Sequence, residues 1–427
     1  MRLPKIISSL PAASPSAEAI VGPSSAPLTP LVASASPDRP HLVLHFDINE
    51  TILVGDEAGG DTREDCLNKM ICKSAFVLID DGQEVEGDEG QPSMSRRALA
   101  HTNKLVPSRW WDGSPIQPDE GGDPNEESPP PLYTGWEWPP NACPYYRTSF
   151  KKRAKNFTLN DGAAYRPLYH ELEKRIAFLP DDVKGADGHV YPHALHHMLP
   201  AFFHTLHELK RGGRSFSLIL RTFGSDLPDI AEALNVFARG EHPLYPDFRD
   251  ERLVLTPAQM FRGRWRGKKK DGGSDQIEYQ LLKWSEDETS FCDDDVIASG
   301  DAELLSIIEN CSIAGIQDHY SFWDKNGNAP WSGKPVWTHR TSASEGSSRN
   351  CHHVFFDDNI HNDATDSIAA VRVENEGHKG TYKSLSGEHI LEMQGIHLIK
   401  VSTVAPVVDQ DWFLHRIREA EERLQPS

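Results

Sequence analysis

Three short apolar runs, each cut off abruptly by polar residues, constrain this chain more than any other feature. Leu42-Val43-Leu44-His45-Phe46 stops at Asp47-Ile48-Asn49-Glu50-Thr51, Phe216-Ser217-Leu218-Ile219-Leu220 stops at Arg221-Thr222-Phe223-Gly224, and His353-Val354-Phe355-Phe356 stops at Asp357-Asp358. Runs this short and this apolar read as strands buried on both faces of a parallel sheet. Ahead of the second run, Leu199, Phe202, Phe203, Leu206 and Leu209 recur three and four apart, with Pro200 at the start and Gly212-Gly213 after the end, which predicts an amphipathic helix. A second helix is expected from Asp226 or Pro228 to Arg239, closed by Gly240. Further strands are expected at Leu253-Val254-Leu255, over residues 312–316 and at Ala369-Ala370-Val371-Arg372-Val373, and a last strand and helix within 397–408 and 412–424. Strands that alternate with helices of this length imply an α/β fold with a mainly parallel sheet and crossover helices.

The apolar patterning is discontinuous, and the breaks suggest domain limits. Residues 1–39 are rich in Ser, Ala and Pro and read as a disordered leader; Arg2 and Lys5, with no acid before Glu18, leave an organelle transit peptide as the alternative. Residues 40–55 and 166–427 carry the core pattern, whereas 56–165 are irregular, acidic and rich in Gly and Pro, with one helix-like segment near 69–79, and read as an insertion after the first run. With 427 residues the chain can bury a large core without disulfide staples, and six cysteines are too sparse to form such a framework. No apolar run reaches the roughly 18 to 20 residues that a membrane span needs, so a soluble, cytoplasmic protein with no membrane partner is expected. The net charge of −20 opposes nonspecific attraction to nucleic acid, and any anionic substrate must be drawn in by local charge or a metal ion.

Open α/β sheets bind ligands beyond the carboxyl ends of their strands, which is where Asp47, Thr222 and the pair Asp357-Asp358 would converge. Two unit charges about 4 Å apart repel by roughly 4 kcal/mol at an effective dielectric near 20, so converging acids call for a neutralising cation. Mg²⁺ suits such a site, because it takes one or two carboxylates, keeps several waters and accepts phosphate oxygen. The order strand-Asp-x-x-x-Thr, strand-Thr, solitary Lys, strand-Asp-Asp resembles the signature of the haloacid-dehalogenase-like superfamily, over roughly residues 41–60 and 195–375. The resemblance implies a doubly wound, Rossmann-like core with a cap-like insertion. It makes Asp47 a nucleophile that forms an aspartyl-phosphate and Thr222 the hydroxyl that holds phosphoryl oxygens. Lys334, in Trp331-Ser332-Gly333-Lys334-Pro335, becomes the lysine that offsets charge on Asp47 and the phosphoryl group. Asp357 and Asp358 become metal ligands together with Asp47, joined by the backbone carbonyl of Asn49 and by Asp363.

Asn49 departs from the pattern, since phosphatases of this family place there a second Asp that protonates the leaving group and later activates water. An amide forms hydrogen bonds but shuttles no proton, and general acid and base help is worth about 10²- to 10⁴-fold. The expected function is therefore a slow Mg²⁺-dependent phosphatase or phosphotransferase, acting on a phosphorylated small molecule or phosphoprotein. A rival of another class is a catalytically weakened phosphoryl-ligand binder or scaffold.

Other groupings read as structural. His193, His196, His197, His204 and His207 include pairs four apart but are broken by Pro200, and Cys351-His352-His353 with His361 lacks paired-cysteine spacing, so zinc is expected at neither. Trp110, Trp111, Tyr133, Trp136, Trp138, Tyr145 and Tyr146 precede the basic run 151–155 and read as a satellite core with a solvated basic edge. The residues Arg262, Arg264, Arg266, Lys268, Lys269 and Lys270 around Trp265 read as either a mobile loop or a phosphate-guiding patch. Nucleic acid is not expected as a partner; binding through these basic runs would be salt-sensitive.

Overall fold

The computed structural model describes residues 4–7, 39–55, 60–79, 84–85, 94–95, 104–116, 129–135, 138–177, 191–268, 276–285, 292–338, 350–360, 367–375, 378–385, 388–402 and 404–424. The fold is a mixed α/β one built on a mainly parallel sheet. The chain forms two compact units, one from Met1–Leu28, Val54–Phe178 and Ser402–Val408, the other from Thr29–Leu53, Leu179–Val401 and Asp409–Ser427. Among the described residues no helix is long and apolar enough to cross a membrane.

The second unit holds strands β1 (His41–Asp47), β2 (Phe216–Thr222), β3 (Met260–Lys268), β4 (Gln276–Lys283), β5 (Val296–Ser299), β6 (Ile313–Gln317), β7 (Lys334–Thr338), β8 (Cys351–Asp357), β9 (Ala369–Asn375), β10 (His378–Ser384) and β11 (Leu398–Lys400). Eight of them form one sheet in the order β5-β4-β3-β6-β2-β1-β8-β11. The pairs β3/β6, β6/β2, β2/β1, β1/β8 and β8/β11 are parallel, and β4 runs antiparallel to both of its neighbours. Leu42 through Phe46 are completely buried, as expected of a strand covered on both faces.

Helix α1 (Pro200–Arg211) starts at its proline and buries Phe202, Phe203, Leu206 and Leu209. Helix α2 (Leu227–Ala238) follows β2 at once, α3 (Asp301–Ile308) precedes β6, and α4 (Trp412–Leu424) ends the described chain. Phe46 receives the edges of Phe202 from α1 and Phe413 from α4, both with ring centroids 5.3 Å away.

Several elements depart from the sequence expectations, each for a physical reason. Leu253-Val254-Leu255 is no strand: Asp250 caps a single turn over Glu251–Leu253, and Leu253 and Leu255 are buried from irregular backbone. Ala369–Asn375 is a strand, but it lies outside the main sheet, pairing with β7 and β10 in a sheet of its own. Lys269 and Lys270 lie outside the described residues, and the described part of the basic run, residues 262–268, lies in strand β3 rather than in a loop. Its Phe261 and Trp265 alternate with Arg262, Arg264 and Arg266, and the aromatics enter the core with Tyr279, Ile316 and Trp337. Gly263 is required there, because a Cβ would lie 1.7 Å from the Tyr279 hydroxyl that crosses it.

The first unit contains most of the irregular region. The helix expected near 69–79 is Arg63–Ser74 instead, because Thr62 and Asp65 form a reciprocal capping box and the chain turns extended at Ala75. Phe76–Leu78 then pairs with Ala142–Pro144. Trp110, Tyr145, Phe157 and Tyr165 pack ring against ring with centroids 5.0 to 6.1 Å apart and join buried aliphatic side chains such as Leu67, Ile71 and Leu172 in this unit's core. Residues 4–7, read above as leader, carry a two-residue strand instead: Ile6 and Ile7 pair with Leu132 and Tyr133, and Ile7 packs on Phe76, Tyr133 and Ala142. The rest of the leader lies outside the described residues apart from residue 39.

Candidate functional site

Parallel pairing brings the acids together. Phe46 on β1 and Phe356 on β8 are cross-strand partners in register, and their rings stack with centroids 4.6 Å apart and planes 6° from parallel. The next residues, Asp47 and Asp357, therefore emerge side by side at the carboxyl edge of the sheet. Asp47 is also the register partner of Arg221, which places Thr222 one residue further along the adjacent strand.

Lys334 reaches this edge from the smaller sheet. Its ammonium donates to Asp47 Oδ1 and, at 2.9 Å, to Asp357 Oδ2, with its side chain only 1% exposed. Its strand is fixed on both sides: Trp265 Nε1 donates to Gly333 O at 2.8 Å, and Arg221 Nη1 donates to Pro335 O at 3.0 Å. Gly333 permits the approach, since a Cβ there would lie 2.0 Å from Ile368 O, whose partner is the amide of Lys334. Arg221 is itself held by a buried two-point ion pair with Asp318 (2.6 and 2.8 Å).

Thr51 links the acids through one hydroxyl, which donates to Asp47 Oδ2 (3.1 Å) and accepts from the Asp358 amide (3.2 Å). The Asn359 amide donates to Asp357 Oδ1 at 2.8 Å, and its side chain donates to Asp358 Oδ1 at 3.0 Å. One carboxylate oxygen from each of Asp47, Asp357 and Asp358 lies within 4.8 Å of the others, a group that could hold a metal ion. Three carboxylates against one ammonium leave two negative charges uncompensated, which fits a divalent cation. Burial, then the neighbouring Asp357, pushes the Asp47 carboxyl well above its ordinary range, and Lys334 only partly counters this. Burial opposes the charge on Lys334, but Asp357 and Asp47 outweigh it and raise its pKa.

The remaining members of the constellation meet around a residue that sequence reasoning did not single out. Asp226, the residue before α2, accepts from Asn49 Nδ2 at 2.8 Å and from the Thr222 hydroxyl at 3.2 Å, both on Oδ2. The Thr222 hydroxyl also accepts from the Gly224 amide at 2.8 Å. Asn49 Oδ1 is buried and has no hydrogen-bond partner among the described residues. Phe223 lies over Lys334, with the ammonium 5.0 Å from its ring centre, and stacks on Trp323. Thr51 stood in the sequence as the last residue of the first motif and Asp226 as a helix start, and neither reading says what the side chain holds.

Asp363 and His361 lie outside the described residues. His193 and His197 face each other through Nε2 atoms 3.4 Å apart but join no group of three candidate ligands among the described residues. His352 and His353 point within the fold, to Ile396 O and to His45 and Glu309 respectively. No family model matches the chain, and no curated protein or solved structure matches it either.

Proposed function

We propose that the chain is a phosphoryl-transfer enzyme acting through Asp47 with Mg²⁺, and a divergent member of the haloacid-dehalogenase-like superfamily. The observation that carries the reading is the buried meeting of Asp47, Lys334 and Asp357 at one sheet edge, with Asp358 close by. Asp47, Asp357 and Asp358 would hold the cation, with the Asn49 carbonyl and Asp363 as the further ligands that the resemblance implies. When bound, it would neutralise the excess negative charge and polarise phosphoryl oxygens.

The chain's own residues supply the rest. A carboxylate oxygen of Asp47 attacks phosphorus, and the leaving group departs with the electron pair of its bond. Lys334 stabilises charge on the transferring group from a dry environment in which it needs no reorganisation. The Thr222 hydroxyl gives its proton to Asp226 and accepts from the Gly224 amide, so a phosphoryl oxygen would receive either donor only by displacing these bonds.

Asn49 supports a second reading, a phosphoryl-ligand binder with little turnover, because it forms hydrogen bonds but carries no transferable proton. Turnover of an aryl phosphate, whose leaving group needs no acid, separates the two. The enzyme reading expects Mg²⁺-dependent turnover that Asp47→Asn reduces at least about 10³-fold, the scale of losing a positioned nucleophile. Equal rates in both proteins would remove the catalytic reading.

A further inference from the structure

Asn49 and Asp226 carry acceptors, and both are tied to Thr222 through the Asp226 carboxylate. Asn49 commits its amide nitrogen to Asp226 Oδ2, which fixes Oδ1 as the group turned the other way, buried and without a partner among the described residues. An unsatisfied buried acceptor costs about 1 to 3 kcal/mol, so it favours a ligand that brings a donor. The Asp226 carboxylate is held in place by Thr222 and by the lack of a side chain at Gly224, where a Cβ would lie 2.4 Å from Asp226 Oδ2. Glycine at this position keeps the carboxylate against Asn49.

We infer that this acceptor pair receives an amine leaving group, so that the substrate class is a phosphoramidate, in which phosphorus is bonded to nitrogen. The inference rests on the phosphoryl-transfer reading above. Three leaving groups can be compared on chemistry alone. An alcohol departs as a basic alkoxide and needs a proton that Asn49 cannot give. The carboxylate of an acyl phosphate needs no proton, but it is an anion with acceptors only and would face both Asn49 Oδ1 and the Asp226 carboxylate. A phosphoramidate protonated on nitrogen brings its own proton and leaves as a neutral amine whose N–H groups satisfy Asn49 Oδ1.

The step balances without an enzyme acid. The bond from Asp47 oxygen to phosphorus forms, the phosphorus–nitrogen bond breaks, and its electron pair goes to nitrogen, which keeps the proton it arrived with. Water then attacks phosphorus, the electron pair of the Asp47 ester bond returns to the carboxylate, and the proton of water leaves on the released phosphate.

The test is a matched series on the full chain with Mg²⁺ at neutral pH, where phosphoramidate keeps its nitrogen proton: potassium phosphoramidate, acetyl phosphate, an alkyl phosphate and an aryl phosphate, each against an Asp47→Asn blank. The expected result is a kcat/KM for phosphoramidate at least about 10²-fold above that for alkyl phosphate, the lower end of what general acid help is worth. Acetyl phosphate should fall below phosphoramidate. Comparable rates for phosphoramidate and alkyl phosphate, or a preference for acetyl phosphate, overturn the inference while leaving Asp47-dependent turnover of the aryl phosphate intact. No Asp47-dependent turnover of any member, aryl phosphate included, overturns both the inference and the reading beneath it.

Discussion

Lys334→Met removes the ammonium that bridges Asp47 and Asp357 while nearly preserving side-chain length, so it isolates charge from volume. The lysine side chain is 1% exposed, Asp357 is fully buried and Asp47 is 9% exposed. Removing one partner of a buried pair costs about 3 to 5 kcal/mol, because the charges left behind are neither solvated nor matched. Coulombic repulsion between carboxylates near 4 Å apart gives the same scale, about 4 kcal/mol at an effective dielectric of 20. Urea unfolding followed by tryptophan fluorescence, in chelator at neutral pH, should show the second unit weakened by that amount. The variant carries one more uncompensated charge than the wild type, so added Mg²⁺ should restore more stability to it. A cation at a hundredfold excess over its Kd contributes about 2.7 kcal/mol. Combining Lys334→Met with Asp47→Asn should give a coupling of about 2 kcal/mol or more. A loss under about 1 kcal/mol with no coupling would refute the view that Lys334 is held there by these charges.

Two further outcomes follow from the same geometry. Asn49→Asp alone should fail to raise alkyl phosphate turnover, because the new carboxylate would face Asp226 across what is now a 2.8 Å hydrogen bond. Pairing it with Asp226→Asn restores a donor opposite the new acid and should raise kcat about 10²-fold; a full gain from the single substitution would contradict the assignment. His242 is completely buried, and burial lowers its pKa to about 3. The unfolded chain then binds a proton there below about pH 6.5 that the folded chain does not, so stability is full above that value and falls as pH drops towards 3. At pH 5 the loss from this one group is at most about 2 kcal/mol. His242→Phe should flatten the urea-midpoint profile between pH 7 and 5, and an unchanged slope would count against a buried neutral imidazole.

The parts of the fold that could be read from the sequence are those whose periodicity is set by burial. The strands ending at Asp47, Thr222 and Asp357 are apolar enough to announce themselves, and α1 and α4 carry three- and four-residue spacing. Strand β3 was obscured because its arginines dominate the composition, although Phe261, Gly263, Trp265 and Gly267 repeat at the two-residue spacing of a strand. Lys334 stands out in sequence only as a solitary lysine before Pro335; that it enters the site from a separate sheet depends on Trp265 and Arg221 gripping its neighbours. Asp226 was legible only as a helix-start residue, since nothing local states that it faces Asn49, some 177 positions earlier.

Phosphoryl transfer to Asp47 can be caught by trapping the covalent adduct. The full chain is mixed with Mg²⁺ and an aryl phosphate, quenched in acid within the first turnover, and its peptides are mapped by mass spectrometry. The expected result is one added phosphoryl group, on the peptide that carries Asp47, released by hydroxylamine as an acyl phosphate is, and missing from Asp47→Asn. Aryl phosphate turnover with no such adduct, or an adduct that persists in Asp47→Asn, would contradict transfer to Asp47.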